Sequence, residues 1–365
     1  QMLLGGAQGG TLSVEVPNGE FKLAGKIDAQ GQTAGGRFSL DVGDSAALGG
    51  LGTLAEGLRT AGMTDTVRLN ARNGDWNLNA GESLEARLVA LVAERGALGI
   101  DGAITARGAD AAVELTAADA LRLGSGSKIT AQGTAGHESR LTIAAVDSDS
   151  DGNGGIVLES GAKLEVQDQD GKATGEVAFR TDRSGQDVAF EGDIAGAVTG
   201  SARTTLEAVK VYQKSGTISA SDIATWKSET DAFMANMDGI EGRLGLQGGL
   251  LAGLDIRSQG NLTLGNTGWD LVDWRYGGRA GVLSLTAADT LNINGKLTDG
   301  FRDEPNGIDI SAIAGPGASM PVKDMLQTGE SWSFRLNARD DVRVADNTFV
   351  RTGTGDIEVN AGQDL

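Results

Sequence analysis

A short phrase built around a central glycine recurs along this chain and limits what the chain can fold into. It reads FKLAGKIDAQG at 21–31, LGIDGAITARG at 98–108, LRLGSGSKITAQG at 121–133 and IVLESGAKLEV at 156–166. It returns as VAFEGDIAG at 188–196 and LNINGKLTDG at 291–300. Apolar and polar residues alternate up to the glycine and again beyond it. Alternation at period two marks a strand with one buried face, and glycine admits a bend through φ > 0 without steric cost. Gly81, Gly102, Gly126 and Gly161 recur at intervals of roughly 20–35 residues, the scale of a β-helix coil, with the acidic run DSDSDGNGG inside the longest interval. The expected architecture is all-β: a right-handed parallel β-helix (β-solenoid) with two short helical insertions, running as one continuous segment over 1–365. Leu23, Ile27, Ile100, Ile104, Leu123, Ile129, Leu158, Leu164, Ile293 and Leu297 share an offset from the corner glycines and are expected to point into the bore.

Composition supports a narrow core. The chain has 57 Gly and only 4% aromatic residues, so stacked Val, Leu, Ile and Ala must fill the interior; its 39% hydrophobic content is too high for a disordered chain. The formal net charge of −19 disfavours nucleic acid and anionic lipid as partners. No apolar run is long enough to span a membrane, so membrane insertion is not expected. The first residues, QMLLGGAQGG, lack the basic, apolar and cleavage regions of a signal peptide, and the chain reads as a fragment of something longer. The absence of cysteine is compatible with a bacterial surface protein that stays unfolded during export.

Two stretches break the strand pattern. In 44–63, Leu51, Leu54 and Leu58 lie at helical spacing, with Asp44 or Ser45 as the cap. In 219–239, Ile223, Trp226, Phe233 and Met237 fall on one face, Ser221 or Asp222 can cap, and Gly239 is the expected stop. Trp226 and Phe233 are expected to pack on the solenoid or to cover a coil edge; exposed, they would mark a docking peptide. A third stretch, 302–328, carries three of the four prolines and reads as an irregular loop.

The phrases GWDLVDWRYGGRAGVLSLTAADTLNINGKLTDGF at 268–301, SWSFRLNARDDV at 331–342 and VRTGTGDIEVNAGQDL at 350–365 bring a family into view. With the earlier FSLDVGDSAALGGLGTLAEGLRTAGMTDTVRLNARNGD, they resemble the filamentous haemagglutinin family of bacterial two-partner-secretion exoproteins, in an internal region of its long members. The resemblance spans most of the chain. It implies a right-handed parallel β-helix, export through an outer-membrane two-partner-secretion transporter by way of a region outside this chain, and a place outside a Gram-negative cell or on its outer-membrane surface. It also implies a structural rod segment of an adhesin that attaches to host, bacterial or matrix surfaces, with carbohydrate among the candidate ligands. It supplies no catalytic residue. The alternatives are a polysaccharide-binding or polysaccharide-cleaving β-helix and the carrier stalk of a contact-dependent toxin.

Chemistry-bearing residues are few. Asp147, Asp149 and Asp151, followed by Gly152, match the first half of a calcium loop, but the twelfth position is Leu158 where a Glu is needed; the other reading is a solvated turn. Calcium is the one candidate cofactor. Trp269, Trp274 and Tyr276 cluster near Arg275 and Arg279; exposed, they would stack on sugars, and buried, they would seal a coil junction. Asp340 with Asp341, and Asp303 with Glu304, are the carboxylate pairs an enzyme would need, but neighbours on a strand face opposite ways. His137 is the only histidine, and a triad or a histidine metal site needs partners. No enzymatic activity is expected.

Overall fold

Alternation of apolar residues drives the main chain of this protein into three parallel sheets per coil. The computed structural model describes residues 7–18, 21, 27–147, 152–246, 248–309, 313, 316 and 319–365. Where the sequence suggests one continuous segment, the chain divides into two compact units: 1–206 with 238–250, and 207–237 with 251–365.

In the first unit, the first sheet stacks Thr11–Val16, Arg37–Val42, Thr66–Ala71, Leu88–Ala93, Ala112–Ala117, Arg140–Ala145 and Gly175–Ser184 in parallel. The second sheet stacks Trp76–Leu78, Leu98–Ile100, Ala120–Leu123, Gly155–Leu158 and Phe190–Glu191. The third stacks Ser83–Ala86, Ala103–Arg107, Lys128–Gly133, Lys163–Asp168 and Val198–Thr199. The fold is a parallel β-helix, and its in-register pairing turns the alternation into rows. Leu69, Leu91, Leu115, Ile143 and Phe179 form one buried row, and Leu84, Ile104, Ile129 and Leu164 another. Each such side chain contributes about 1.5–3 kcal/mol.

The second unit repeats the plan. Leu250–Ser258, Val282–Ala287, Ser333–Ala338 and Ile357–Ala361 form its first sheet. Gly216–Ile218, Leu262–Leu264, Leu291–Ile293 and Val342–Val344 form the second, and Trp269–Asp270, Leu297–Thr298 and Val350–Arg351 the third. Eight of the ten residues expected in the bore are buried, Ile100 through Leu297; Ile27 is half-buried, and Leu23 lies outside the described residues.

The corner glycines act for two different reasons. Gly161 and Gly192 have φ of 105° and 119°, as expected. Gly102 and Gly295 do not adopt positive φ. A Cβ at Gly102 would come 2.5 Å from the Glu82 carbonyl oxygen, and one at Gly295 would come 2.5 Å from the Gly268 nitrogen, so there it is the approach of the neighbouring coil that excludes a side chain.

The helices are α1 (Leu51–Thr60), α2 (Ile194–Ala197), α3 (Ala220–Met234) and α4 (Met237–Leu244). A 3₁₀ turn, Ser45–Leu48, precedes α1 and is capped by Asp44, whose carboxylate accepts from the Ala46 N–H. The cap of α3 is Ser219, with Asp222 answering as the third residue of a capping box. Neither Ser221 nor Asp222 is the cap residue. Gly239 does not stop the insertion: it lies inside α4, and the break falls at Ala235 and Asn236. The 302–328 stretch, expected as irregular, instead contributes most of an antiparallel ribbon of Phe301–Asp309 against Ser319–Leu326. Pro305 and Pro321 are tolerated there because the register shifts around them and neither is among the paired residues of the ribbon, so no ladder hydrogen bond is lost to the missing N–H. Among the described residues, no helix is long and apolar enough to cross a membrane.

Candidate functional site

The densest arrangement of large side chains is an aromatic stack in the second unit. Trp226 of α3 lies between Tyr212 and Trp269, with ring centroids 5.2 and 5.6 Å apart. The stack continues edge-to-face from Trp269 to Trp274 at 5.7 Å and from Trp274 to Trp332 at 6.1 Å. All four indoles are buried, and so is Phe233. Such pairs add about 0.5–1.5 kcal/mol each beyond the area they bury. In chain order, α3 stands where a third-sheet strand would follow Gly216–Ile218, and Trp226 covers the edge that Trp269–Asp270 would otherwise expose.

A buried ion pair anchors this stack. Asp299 is fully buried and accepts two bonds from Arg275 Nη2, at 2.9 and 2.8 Å. It also accepts the Trp332 N–H at 2.5 Å. Arg275 Nη1 donates to the Leu271 and Trp274 carbonyls, and the Trp332 indole N–H donates to the Trp274 carbonyl at 2.8 Å. Tyr276 and Arg279 close a hairpin turn through Gly277 and Gly278, both at positive φ, which suits a type I′ turn. The Tyr276 hydroxyl donates to Asp231 of α3 at 2.9 Å.

The arrangement settles which face of the aromatic cluster is available. Trp269 and Trp274 present no ring to solvent, and Tyr276 is half-buried with its hydroxyl engaged. The sugar-platform reading of these three residues is therefore corrected: the tryptophans form core that seals a coil junction. The partners Trp332 and Asp299 escaped the sequence reading. The alternation in SWSF could have placed Trp332 inside; nothing in the sequence links Asp299 to Arg275.

A different cluster is accessible. The Arg351 guanidinium sits over the Phe301 ring at 4.3 Å and the Phe349 ring at 4.6 Å, and Lys296 Nζ lies 5.1 Å from the Phe349 centroid. Both phenylalanines are half-buried and Lys296 is exposed. Arg351 also pairs with Asp324 at 2.5 Å, which holds that carboxyl below the usual carboxylate range.

The remaining candidates are scattered. Asp149 and Asp151 lie outside the described residues. Asp147 Oδ2 accepts from the Gly152 N–H at 2.7 Å, and the Asp147 N–H donates to Asp182, a carboxylate at this turn that the sequence reading missed. Among the described residues, no three Asp, Glu or His side chains gather as a cation would require. Asp340 and Asp341 lie at a bend, each paired with a different arginine, Arg339 and Arg343. Asp303 accepts from the Asp324 N–H across the ribbon. His137 lies on the surface, 3.2 Å from Asp110. In the first unit, an open groove of about 480 Å³ is lined by Ile194, Val198, Ser201, Arg203, Thr205 and Leu246, among others, and includes no carboxylate.

Outward rows in the first unit carry ion pairs from coil to coil. Asp65, buried, takes Arg37 and Arg87 at 2.7 Å each. Burial alone would raise its pKa, but the two guanidiniums overcome this and hold it low. Arg72 bridges Asp41 and Glu15, and Arg122 bridges Asp101 and Glu159. Comparison of the chain with family models, with curated proteins and with solved structures gave no match.

Proposed function

We propose that this chain is a structural rod segment of a large secreted or surface-exposed bacterial adhesin of filamentous haemagglutinin type, mediating attachment to cells, surfaces or matrix. The observation that supports this most is the repetition of one coil in both units, with apolar rows inside and ion-paired rows outside. Such a scaffold gives length and a long lateral surface. Export would run through an outer-membrane two-partner-secretion transporter engaged by a region outside this chain, which places the protein on or beyond the Gram-negative surface. The phrase at 268–301 carries the family resemblance, and its tryptophans pack as core, in keeping with a structural motif.

The test is attachment. Beads coated with the chain should bind host cells or matrix above beads coated with an inert protein of similar charge. Attachment no better than that control overturns the adhesive reading. A second reading, polysaccharide binding, draws on the accessible Phe301, Phe349, Arg351 and Lys296 cluster; competition of wild-type attachment by soluble acidic glycan, together with loss of attachment in a Lys296→Ala, Phe349→Ala variant, would favour it. Calcium at Asp147, Asp149 and Asp151 belongs to the same proposal. Calorimetry should give a dissociation constant on the order of 10⁻⁴–10⁻³ M, lost in Asp149→Ala, Asp151→Ala; equal heats in both proteins reduce the motif to a turn.

A further inference from the structure

The first sheet of the first unit has an outer face as well as a buried one, and one strand breaks the pattern of that face. Leu88–Ala93 reads LVALVA, and among the described strands of that unit's first sheet it alone has no polar residue. Val89, Leu91 and Ala93 point into the bore at 0% exposure, which leaves Leu88, Ala90 and Val92 as an apolar strip on the outside. Leu88 and Val92 are half-buried, and Ala90 lies low between its larger neighbours. Three strands of the sheet stand on either side of the strip within this unit, so it lies on a flank that further coils at either end would not cover. The charges around the strip are placed symmetrically. In-register pairing puts Ser39, Arg68, Ala90, Glu114 and Thr142 in one row. Arg68, exposed, and Glu114, half-buried, therefore stand one strand to either side of Ala90, about 9–10 Å apart. Among the described residues neither has an ion-pair partner, although Arg37, Arg72, Arg87 and Arg140 around them are all paired.

We propose that this flank is a self-association surface whose occupant is the same flank of a second copy, packed face to face with its stacking direction reversed. The two-fold axis runs along Leu88–Ala93, in the plane between two sheets about 10 Å apart. Each residue then faces the residue an equal number of strands beyond the axis. Arg68 meets Glu114 of the copy, and Glu114 meets its Arg68, so the two charges left unpaired within one chain find each other between two. Leu88, Ala90 and Val92 meet themselves and bury the apolar strip. Ser39 meets Thr142, Thr66 meets Ala112 and Asn70 meets Thr116, so uncharged groups fill the surroundings. Arg37 meets Arg140, but each brings its own carboxylate, Asp65 at 2.7 Å and Glu176 at 3.6 Å. Turning the axis onto the stacking direction would give a parallel pair and set Arg68 against Arg68 and Glu114 against Glu114, so charge selects the antiparallel pair. An isologous contact closes at two chains.

The test is a concentration series by sedimentation velocity on the intact chain and on variants of the two charges. The wild type should pass from monomer to dimer and stop there. Arg68→Glu and Glu114→Arg each set like charges face to face twice and should be monomeric alone. An equimolar mixture of the two should dimerise, because every facing pair is then opposite in charge; that rescue also shows both variants to be folded. Arg68→Gln fixes the orientation. It removes two attractive pairs from an antiparallel dimer and should raise the dissociation constant about tenfold, whereas it would relieve repulsion in a parallel one. A wild-type chain that is monomeric throughout, a series of species beyond the dimer, single reversals that dimerise like the wild type, a mixture that stays monomeric, or tighter association in Arg68→Gln overturns the proposal.

Discussion

The first unit and the second close their coils differently. In the first, the row Trp76, Leu98, Leu121, Ile156 ends in Phe190, which is only 3% exposed. Helix α4 is responsible. Its Ile240 and Leu244 are buried, and Arg243 donates to the Phe190 carbonyl at 3.1 Å and to Asp187 at 2.7 Å. In the second unit, the edge at Trp269–Asp270 is covered by α3, whose Trp226 packs on Trp269 with ring centroids 5.6 Å apart. The strands in both units follow the same alternation, so strand sequence alone does not decide how a coil edge is finished. A helix decides it, through a cation aimed at an edge carbonyl in the first unit and through a buried indole in the second.

The largest effect should come from the buried pair that fixes the covered side of the second unit. Asp299→Asn leaves Arg275 without its counter-charge and should cost about 3–5 kcal/mol in urea unfolding. A loss below about 1 kcal/mol would mean that the aromatic stack holds without it. Next comes the contrast between a buried position and a part-exposed one. Leu115→Ala should cost about 2–5 kcal/mol, and Val359→Ala about 0.5 kcal/mol. Equal costs would mean that burial in the coil does not set the energetics. Removing the edge cap itself, by Arg243→Ala, should cost about 1 kcal/mol, since both partners are partly exposed, and should speed amide exchange in residues 187–191.

The smallest effect is the response to acid. Burial raises the carboxyls of Asp65, Asp187 and Asp222. Arg87 with Arg37, Arg243, and Lys214 with Ser219 respectively more than reverse this, so each folded pKa lies below its unfolded value. Their contribution is present above about pH 3.9, the unfolded aspartate value, and is lost as pH falls through the lower folded values. The joint contribution of these three carboxyls should be flat from neutral pH down to that point and then decline. The decline below it should shrink in Arg243→Ala; an identical acid limb in the variant would remove Asp187 from the account.

Much of this was legible in the residues. The alternating phrases located the strands, and because parallel coils pair in register, a common offset from the glycine was enough to pick out the bore. Leucine spacing located α1, and the Trp226 and Phe233 stripe located α3. The sequence reading ended too early at α4 because Gly239 and Gly242 oppose a helix by about 1 kcal/mol each relative to alanine; burial of Ile240 and Leu244 overrides that local preference. Prolines obscured the ribbon, since they forbid a central strand but not an edge. The aromatic cluster was visible as composition, but its burial depended on Asp299 and Trp332, which reach it from neighbouring coils far along the chain.

The central claim is that a helix, and not strand sequence, finishes a coil edge. Hydrogen exchange read by mass spectrometry on the intact chain and on Arg243→Ala tests it most directly. Amides in 187–199 should be protected nearly as well as those in the inner strand Ala112–Ala117, and in the variant those in 187–191 should exchange markedly faster while Ala112–Ala117 is unchanged. Rapid exchange across 187–199 in the wild type, or no change at 187–191 in the variant, would contradict the account.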